Sequence, residues 1–458
     1  MPARCGGRSA GSGRAVIRRS CCNSEIHTFL TVGSRLIRGD RPRSNCVRPE
    51  AITSWASSEG DGMRTVRKLT MAVALAVAAV QSVATTAHAD TASAAQTMQS
   101  AAQQGVSDGY PGVIALISDG VSGQYVSAGT GNLGTKTPID PTAKFRIGSN
   151  TKNFTATVIL QLEAEGKLSI NDTVAKWLPN AIPTSSGYDG SKVTLRELMN
   201  HTSGLPNYFA QLSDMTGSNA TRVMAPQDLV NSALLTPPGT TQPGADAATS
   251  ANPPATWNYI NTGYILLGMV IQKITGNDPA VEITNRIINP LNLSNTSFPT
   301  TDPNLTGNYL HGYWYNLIPI INVYLGTTDA TVQAPSMFWT AGAMVSTLQD
   351  LMTFTQSLVR GTLLPPAQMA ELETTVPISS ATANQYGLSI THLKLTCSGT
   401  TKWVWSFGGD VPGYNSRWMT SEDGRKTIAY VSNEFHNIGG TTGQKNLLDN
   451  TMNAMCAL

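Results

Sequence analysis

The sequence predicts an α/β protein in which one antiparallel sheet, assembled from both ends of the chain and flanked by helices, is combined with an all-helical block between them. Two observations carry this reading. Strand-like segments cluster near residues 112–129 and again beyond Tyr386, and the long middle from about Leu168 to Pro335 alternates helical stretches with loops rich in Pro, Thr, Asn and Gly. Taken in order, residues 90–106 have helical composition, with Ala, Gln and Met and no Pro. Residues 112–118 and 124–129 read as two short strands joined by Asp119-Gly120. A helix follows from about Thr151 to Glu165, and the middle includes helical stretches such as 256–275. From Tyr386 the pieces 386–395, 402–407, 414–420 and 426–432 are strand-like, with Glu422-Asp423-Gly424 as a hairpin turn. A last helix covers about 441–456. The sheet part is therefore about 90–150 and 340–458, the helical part about 151–339, and no internal repeat is visible.

Charge divides the chain differently. The 458 residues hold 31 Lys+Arg and 29 Asp+Glu, but residues 1–89 contribute 13 basic and 5 acidic, so the chain from Asp90 onward carries 18 basic and 24 acidic residues. That acidic balance argues against nucleic acid as a partner, and 41 % hydrophobic residues overall argue against disorder. From Met63 a basic start (Arg64, Arg67, Lys68), an apolar run from Met71 to Val80 and Ala87-His88-Ala89 have the layout of a secretory signal peptide cleaved before Asp90. Residues 1–62, Arg-rich and aperiodic, are then an upstream extension outside the mature protein, the other reading being a basic nucleic-acid-binding arm. The expected location is extracytoplasmic, with no stable membrane span. After cleavage Cys397 and Cys456 remain, either as a disulfide closing a loop of about 60 residues or as two buried thiols.

Two motif matches fail on context. Gly129 to Gly134 fits a dinucleotide-binding glycine pattern, but Thr135-Lys136-Thr137-Pro138 follows where a helix is needed. Gly105-Val106-Ser107-Asp108-Gly109 fits a nucleophile elbow, but lies between a helix and a strand, the reverse of the required order.

Ser149-Asn150-Thr151-Lys152 is the one Ser-x-x-Lys of the chain, at the start of a predicted helix, where the spacing puts both side chains on one face. A desolvated lysine can take the serine proton, although on these four residues alone Ser149 reads first as an ordinary helix N-cap. Tyr259-Ile260-Asn261 opens the apolar helix 262–274. A tyrosine whose pKa is lowered by a nearby lysine can relay that proton, and an amide can orient lysine and substrate. Phe407-Gly408-Gly409-Asp410 ends a predicted strand with two glycines, which would let a substrate backbone approach closely. Of the remaining histidines, His201 suits a helix-end or packing role, and His311, His392 and His436 lack metal-ligand spacing; no metal or cofactor is expected.

The order of these elements resembles the penicillin-recognising serine hydrolases, in particular the serine D-alanyl-D-alanine carboxypeptidase and class C β-lactamase branch. The likeness extends to Phe145-Arg146-Ile147-Gly148, Leu162 to Leu168, Leu198 to Leu205, Ala341 to Thr347 and Gly408 to Tyr414. The resemblance implies a β-lactamase/transpeptidase-like fold with the site between sheet and helical parts. It implies Ser149 as nucleophile, Lys152 as its base, Tyr259 as general acid/base and Asn261 as a ligand of substrate and lysine. The backbone N–H groups of Ser149 and Asp410 would form the oxyanion hole. The chain departs from the family at Phe407, where Lys or His is usual, and Phe-Gly-Gly is similar to the Trp-Gly-Gly of β-lactamase-like carboxylesterases. Asp410 would also repel a substrate carboxylate. The leading expectation is a D-alanyl-D-alanine carboxypeptidase acting on peptidoglycan stem peptides and acylated by β-lactams. The alternatives are an esterase or β-lactamase on small acyl compounds, and a non-catalytic penicillin- or peptidoglycan-binding module.

Overall fold

The computed structural model describes residues 90–212, 219–242, 249–318, 323–436 and 442–458, so the readings for 1–62 and 63–89 lie outside the described residues. Helix α1 (residues 90–107) leads into β1 (Gly112–Ser118), β2 (Gly123–Asn132), β3 (Thr137–Pro138) and β4 (Phe145–Arg146). A 3-10 turn, Gly148–Asn150, runs directly into α2 (Thr151–Ala164). The middle supplies α3 (Val174–Trp177), α4 (Leu195–Met199), α5 (Pro226–Ala233), α6 (Thr262–Thr275), α7 (Pro279–Ile283), the hairpin β5 (Tyr313–Ile318) and β6 (Val323–Asp329), and α8 (Trp339–Gly342). Then come β7 (Val345–Ser346), α9 (Leu348–Val359), α10 (Pro366–Leu372), β8 (Val376–Pro377), β9 (Gln385–Tyr386), β10 (Thr391–Cys397), β11 (Thr400–Val411), β12 (Tyr414–Ser421), β13 (Thr427–Ser432), β14 (Glu434–His436) and α11 (Thr442–Ala457).

The principal sheet has nine strands in the order β3-β2-β1-β13-β12-β11-β10-β9-β8, all antiparallel. The two ends of the chain meet where β1 pairs with β13, Val113 opposite Ser432 and Ser118 opposite Thr427. All seven residues of β1 are buried because both faces of the sheet are covered. Its alternation assigns Val113, Ala115 and Ile117 to the core under α1 and α11, and Ile114 and Leu116 to the larger core on the other face. Helix α1 turns Ala94, Met98, Ala101 and Ala102 to the sheet, a helical spacing of small residues that lets the backbone come close. On the opposite face α2 is buried almost all round. Stacking of Phe154 on Phe354, with ring centroids 3.6 Å apart, joins it to α9. The chain therefore has the β-lactamase/transpeptidase-like fold.

The structure differs from the sequence reading in four places. The strand expected at 402–407 continues through both glycines to Val411, because β12 pairs with it along Gly408 to Val411. The strand expected at 386–395 is broken into β9 and β10 by a turn in which the Gly387 N–H donates to the Ile390 carbonyl at 2.7 Å. The helix expected from 256 begins at Thr262. Upstream, the N–H groups of Asn258, Ile260 and Asn261 donate to the His201 carbonyl, His201 Nδ1 and Asn207 Oδ1, which replace the helical acceptors. Finally, the block 151–339 is not wholly helical: β5 and β6 form a second sheet with β14, in line with the aromatic and β-branched side chains around Tyr313-Trp314-Tyr315. Cys397 of β10 and Cys456 of α11 are bonded, with Cα atoms 5.4 Å apart.

Candidate active site

Ser149 sits in the 3-10 turn at the entrance to α2, and that turn is pressed onto β11. A Cβ at Gly409 would lie 1.9 Å from the Ile147 carbonyl oxygen, and one at Gly148, where φ is +52°, would lie 2.9 Å from the Asp410 carbonyl oxygen. The space expected for a substrate backbone at Gly409 is therefore occupied by the chain's own Ile147, and the glycine serves the close approach of turn to strand. Asn150 locks the contact: its Nδ2 donates to the Ile147 carbonyl and to Ser416 Oγ, both at 3.0 Å, and Ser416 Oγ donates to the Gly409 carbonyl at 3.2 Å. The backbones of Ser149 and Asp410 are thereby side by side. Strand β10 pairs with β11 only as far as Thr391 opposite Ser406, so beyond Ser406 that edge of β11 is left unpaired beside the cavity.

Lys152, one turn into α2, is fully buried. Its Nζ donates to Ser149 Oγ at 3.0 Å, to Asn261 Oδ1 at 2.7 Å and to the Ala341 carbonyl at 2.7 Å. Burial holds its pKa well below the usual lysine range, opposed by the attraction of Asp410. With the Ser149 contact reversed, so that the hydroxyl donates, the same geometry suits a neutral amine whose hydrogens go to Asn261 and Ala341. Asn261, at the start of α6, is itself held by Asn207, whose Oδ1 accepts from both its N–H and its Nδ2 at 3.3 Å.

Tyr259 lines the same cavity as Ser149, and its ring centroid lies 5.1 Å from Lys152 Nζ. Its pKa is not lowered as the sequence reading expected but raised, chiefly by burial, with Ser149 and Arg417 acting the other way. The physical reason is that a phenolate at this buried position would lose its solvation, a cost that outweighs the attraction of Arg417. The electrostatics thus separate the two groups: Lys152 suits the base, Tyr259 the proton donor. His201, at φ +64° just after α4, is buried and held neutral. Its Nδ1 accepts from the Ile260 N–H at 3.3 Å, which leaves Nε2 to donate to the Tyr386 hydroxyl at 3.2 Å. Its ring packs on Tyr259 at 4.4 Å, so it positions the tyrosine loop.

These residues open into a cavity of about 590 Å³, within the range of small-molecule sites. Its lining includes Ser149, Tyr259, Asn261, Phe407, Gly408 and Asp410, and its walls are mostly apolar. Phe407 is buried, its ring 6.1 Å from that of Tyr386. Asp410 is exposed and accepts a hydrogen bond from Asn415 Nδ2. Sequence reasoning missed Arg417. It lies on β12 opposite Gly408, and a Cβ at Gly408 would be 2.7 Å from its Nη1. It lines the cavity, and among the described residues no carboxylate lies within ion-pair distance of it. Its only sequence signal is register, which is visible once β11 and β12 are paired through Gly408. His311 pairs with Asp329 and His392 with Glu422, neither histidine lining the cavity, and the His436 side chain lies outside the described residues. Among the described residues there is no cluster of three or more metal-ligating side chains and no helix long and apolar enough to cross a membrane.

A serine hydroxyl 3.0 Å from a buried lysine amine, with a tyrosine ring beside that amine, is an arrangement suited to a serine hydrolase. The Beta-lactamase family model matches residues 91–449, and the chain belongs to that family. Among solved structures, a D-stereospecific amidohydrolase from Streptomyces sp. is 32 % identical with a TM-score of 0.68, the match covering 78 % of this chain and 97 % of that one. A D-amino acid amidase from Ochrobactrum anthropi SV3 shares the fold at 22 % identity and a TM-score of 0.66, over 80 % of this chain and 98 % of that one. Penicillin-binding protein 4* of Bacillus subtilis (strain 168) is 28 % identical over 67 % of this chain, which spans 64 % of that relative's length.

Proposed function

We propose that this protein is an exported serine hydrolase that cleaves an amide or peptide bond on the carbonyl side of a D-configured residue. The observation that carries the reading is the Lys152 amine, fully buried and held 3.0 Å from Ser149 Oγ by two protein acceptors. Ser149 Oγ attacks the scissile carbonyl carbon while Lys152 takes its proton. The N–H groups of Ser149 and Asp410 hold the oxyanion, and the proton passes by way of the Tyr259 hydroxyl to the leaving nitrogen as the C–N bond breaks. Water then attacks the Ser149 ester, with Lys152 again the base, and the acid product leaves. D-Configuration enters from the similarity to the Streptomyces amidohydrolase over nearly all of that enzyme. Export rests on the signal-peptide pattern from Met63 to Ala89.

Phe407 and the exposed Asp410 favour an uncharged leaving group, such as an amide or ester, over one bearing a carboxylate. D-Alanyl-D-alanine carboxypeptidase activity is the second reading, and Arg417 is the observation that favours it, a cation at the cavity wall without an ion pair among the described residues. The test compares hydrolysis of D- and L-phenylalanine amide with release of D-alanine from a peptide ending in two D-alanines, alongside labelled penicillin. Expected are a D-over-L preference of at least about tenfold, as one well-placed contact supplies, and a covalent adduct on Ser149. Equal rates for the enantiomers would overturn D-specificity; no adduct from penicillin or from an activated ester would overturn the hydrolase.

A further inference from the structure

The cavity does not end at the nucleophile. Thr391, Ser406, Gly408, Arg417 and Met419 lie on one face of the sheet, since Thr391 is opposite Ser406, Ser406 opposite Met419 and Gly408 opposite Arg417. Met419 belongs to the core under α11, on the other side of β11 from the turn that Gly409 receives. Yet Leu393, Met419, Leu448 and Met452 line the same cavity as Ser149. The continuity runs along the edge of β11 left unpaired beyond Ser406, where the Arg417 side chain lies over Gly408.

We propose that this second limb is a specificity subsite that receives an apolar group of the acylating substrate, bounded by Leu393 of β10 and by Leu448 and Met452 of α11. The inference rests on the hydrolase reading above. Leu448 and Met452 are one helical turn apart and so face the same way, and both are only partly buried, packed at the margin of the core under α11. The two walls are joined by the Cys397–Cys456 bond, which ties β10 to α11 and fixes the limb's far end. Arg417 and Asp410 stand at its mouth near Gly408, so a polar carbonyl and an apolar tail would both be accommodated. The limb gives a reason for a cavity much larger than an alanine methyl requires.

The test uses the full mature chain with nitrophenyl acetate and nitrophenyl octanoate, reading the ratio of kcat/KM for the long to the short ester. The wild type is expected to prefer octanoate. Leu448→Trp, which fills the limb, and Leu448→Gln, which makes it polar with little change of volume, should each lower that ratio by about tenfold or more, the scale of one methylene-sized misfit in an apolar pocket. A ratio within about twofold of wild type in whichever variant folds would overturn the subsite, on the same scale. Absence of turnover of both esters by the wild type would instead overturn the hydrolase reading, and the subsite with it.

Discussion

Gly409→Ala is the most direct probe of how the site is held together. The added methyl would sit 1.9 Å from the Ile147 carbonyl oxygen and 2.7 Å from Asn150 Nδ2, whereas ordinary contact begins near 3.4 Å. The obstructing atom is backbone, so β11 and the Gly148–Asn150 turn must separate by about 1.5 Å, the difference between those approaches. That movement carries the Ser149 N–H away from the Asp410 N–H and strains the Asn150 contacts to Ile147 and Ser416. A misplacement of about 1 Å can cost about a hundredfold in rate, and overpacking of this kind costs about 1–3 kcal/mol of stability. The assay is single-turnover acylation by nitrophenyl acetate, with thermal unfolding alongside. Gly408→Ala is the internal comparison, because its methyl meets the movable end of Arg417 at 2.7 Å and should cost much less. Acylation by the Gly409 variant within about threefold of wild type, where about a hundredfold loss is expected, would refute the claim that this contact builds the oxyanion site.

Three further outcomes are expected. Asn261→Asp places a carboxylate 2.7 Å from Lys152 Nζ, which favours the ammonium form and raises the lysine pKa. Since the neutral amine is the base, the acid limb of kcat/KM should move to higher pH, and a pH profile with an unmoved limb would exclude Lys152 as that base. Removing the Cys397–Cys456 bond by paired Cys→Ser substitution should lower stability by about 4 kcal/mol in the chain-entropy model, measured by denaturant unfolding. Phe407→His should raise D-alanine release relative to ester turnover; an unchanged ratio would show that the ring does not set that preference.

Much of the site was legible because its chemistry is carried by local spacing. Ser149 and Lys152 are brought together by one helical turn, and Tyr259 and Asn261 mark the loop before an apolar helix. The supporting residues were not legible, since Asn207, Asn150, Ser416 and Arg417 act through contacts between segments distant in sequence. The role of Gly409 was misread for the same reason: a glycine announces close approach but not what approaches.

By itself, the sequence determined the sheet from both chain ends, the order of the motifs and the pairing of serine with lysine, all properties of hydrophobic period, turn chemistry and helical spacing. Only the tertiary structure decided their electrical state. Lys152 is held well below the usual lysine range because α2 is buried on nearly every side, and Tyr259 is pushed toward the phenol chiefly by its own burial. It also placed a cation beside the site from β12 where residue 407 has none, and left a path past Gly408 toward α11. Desolvation and strand register depend on the whole fold, and no local stretch of residues encodes them.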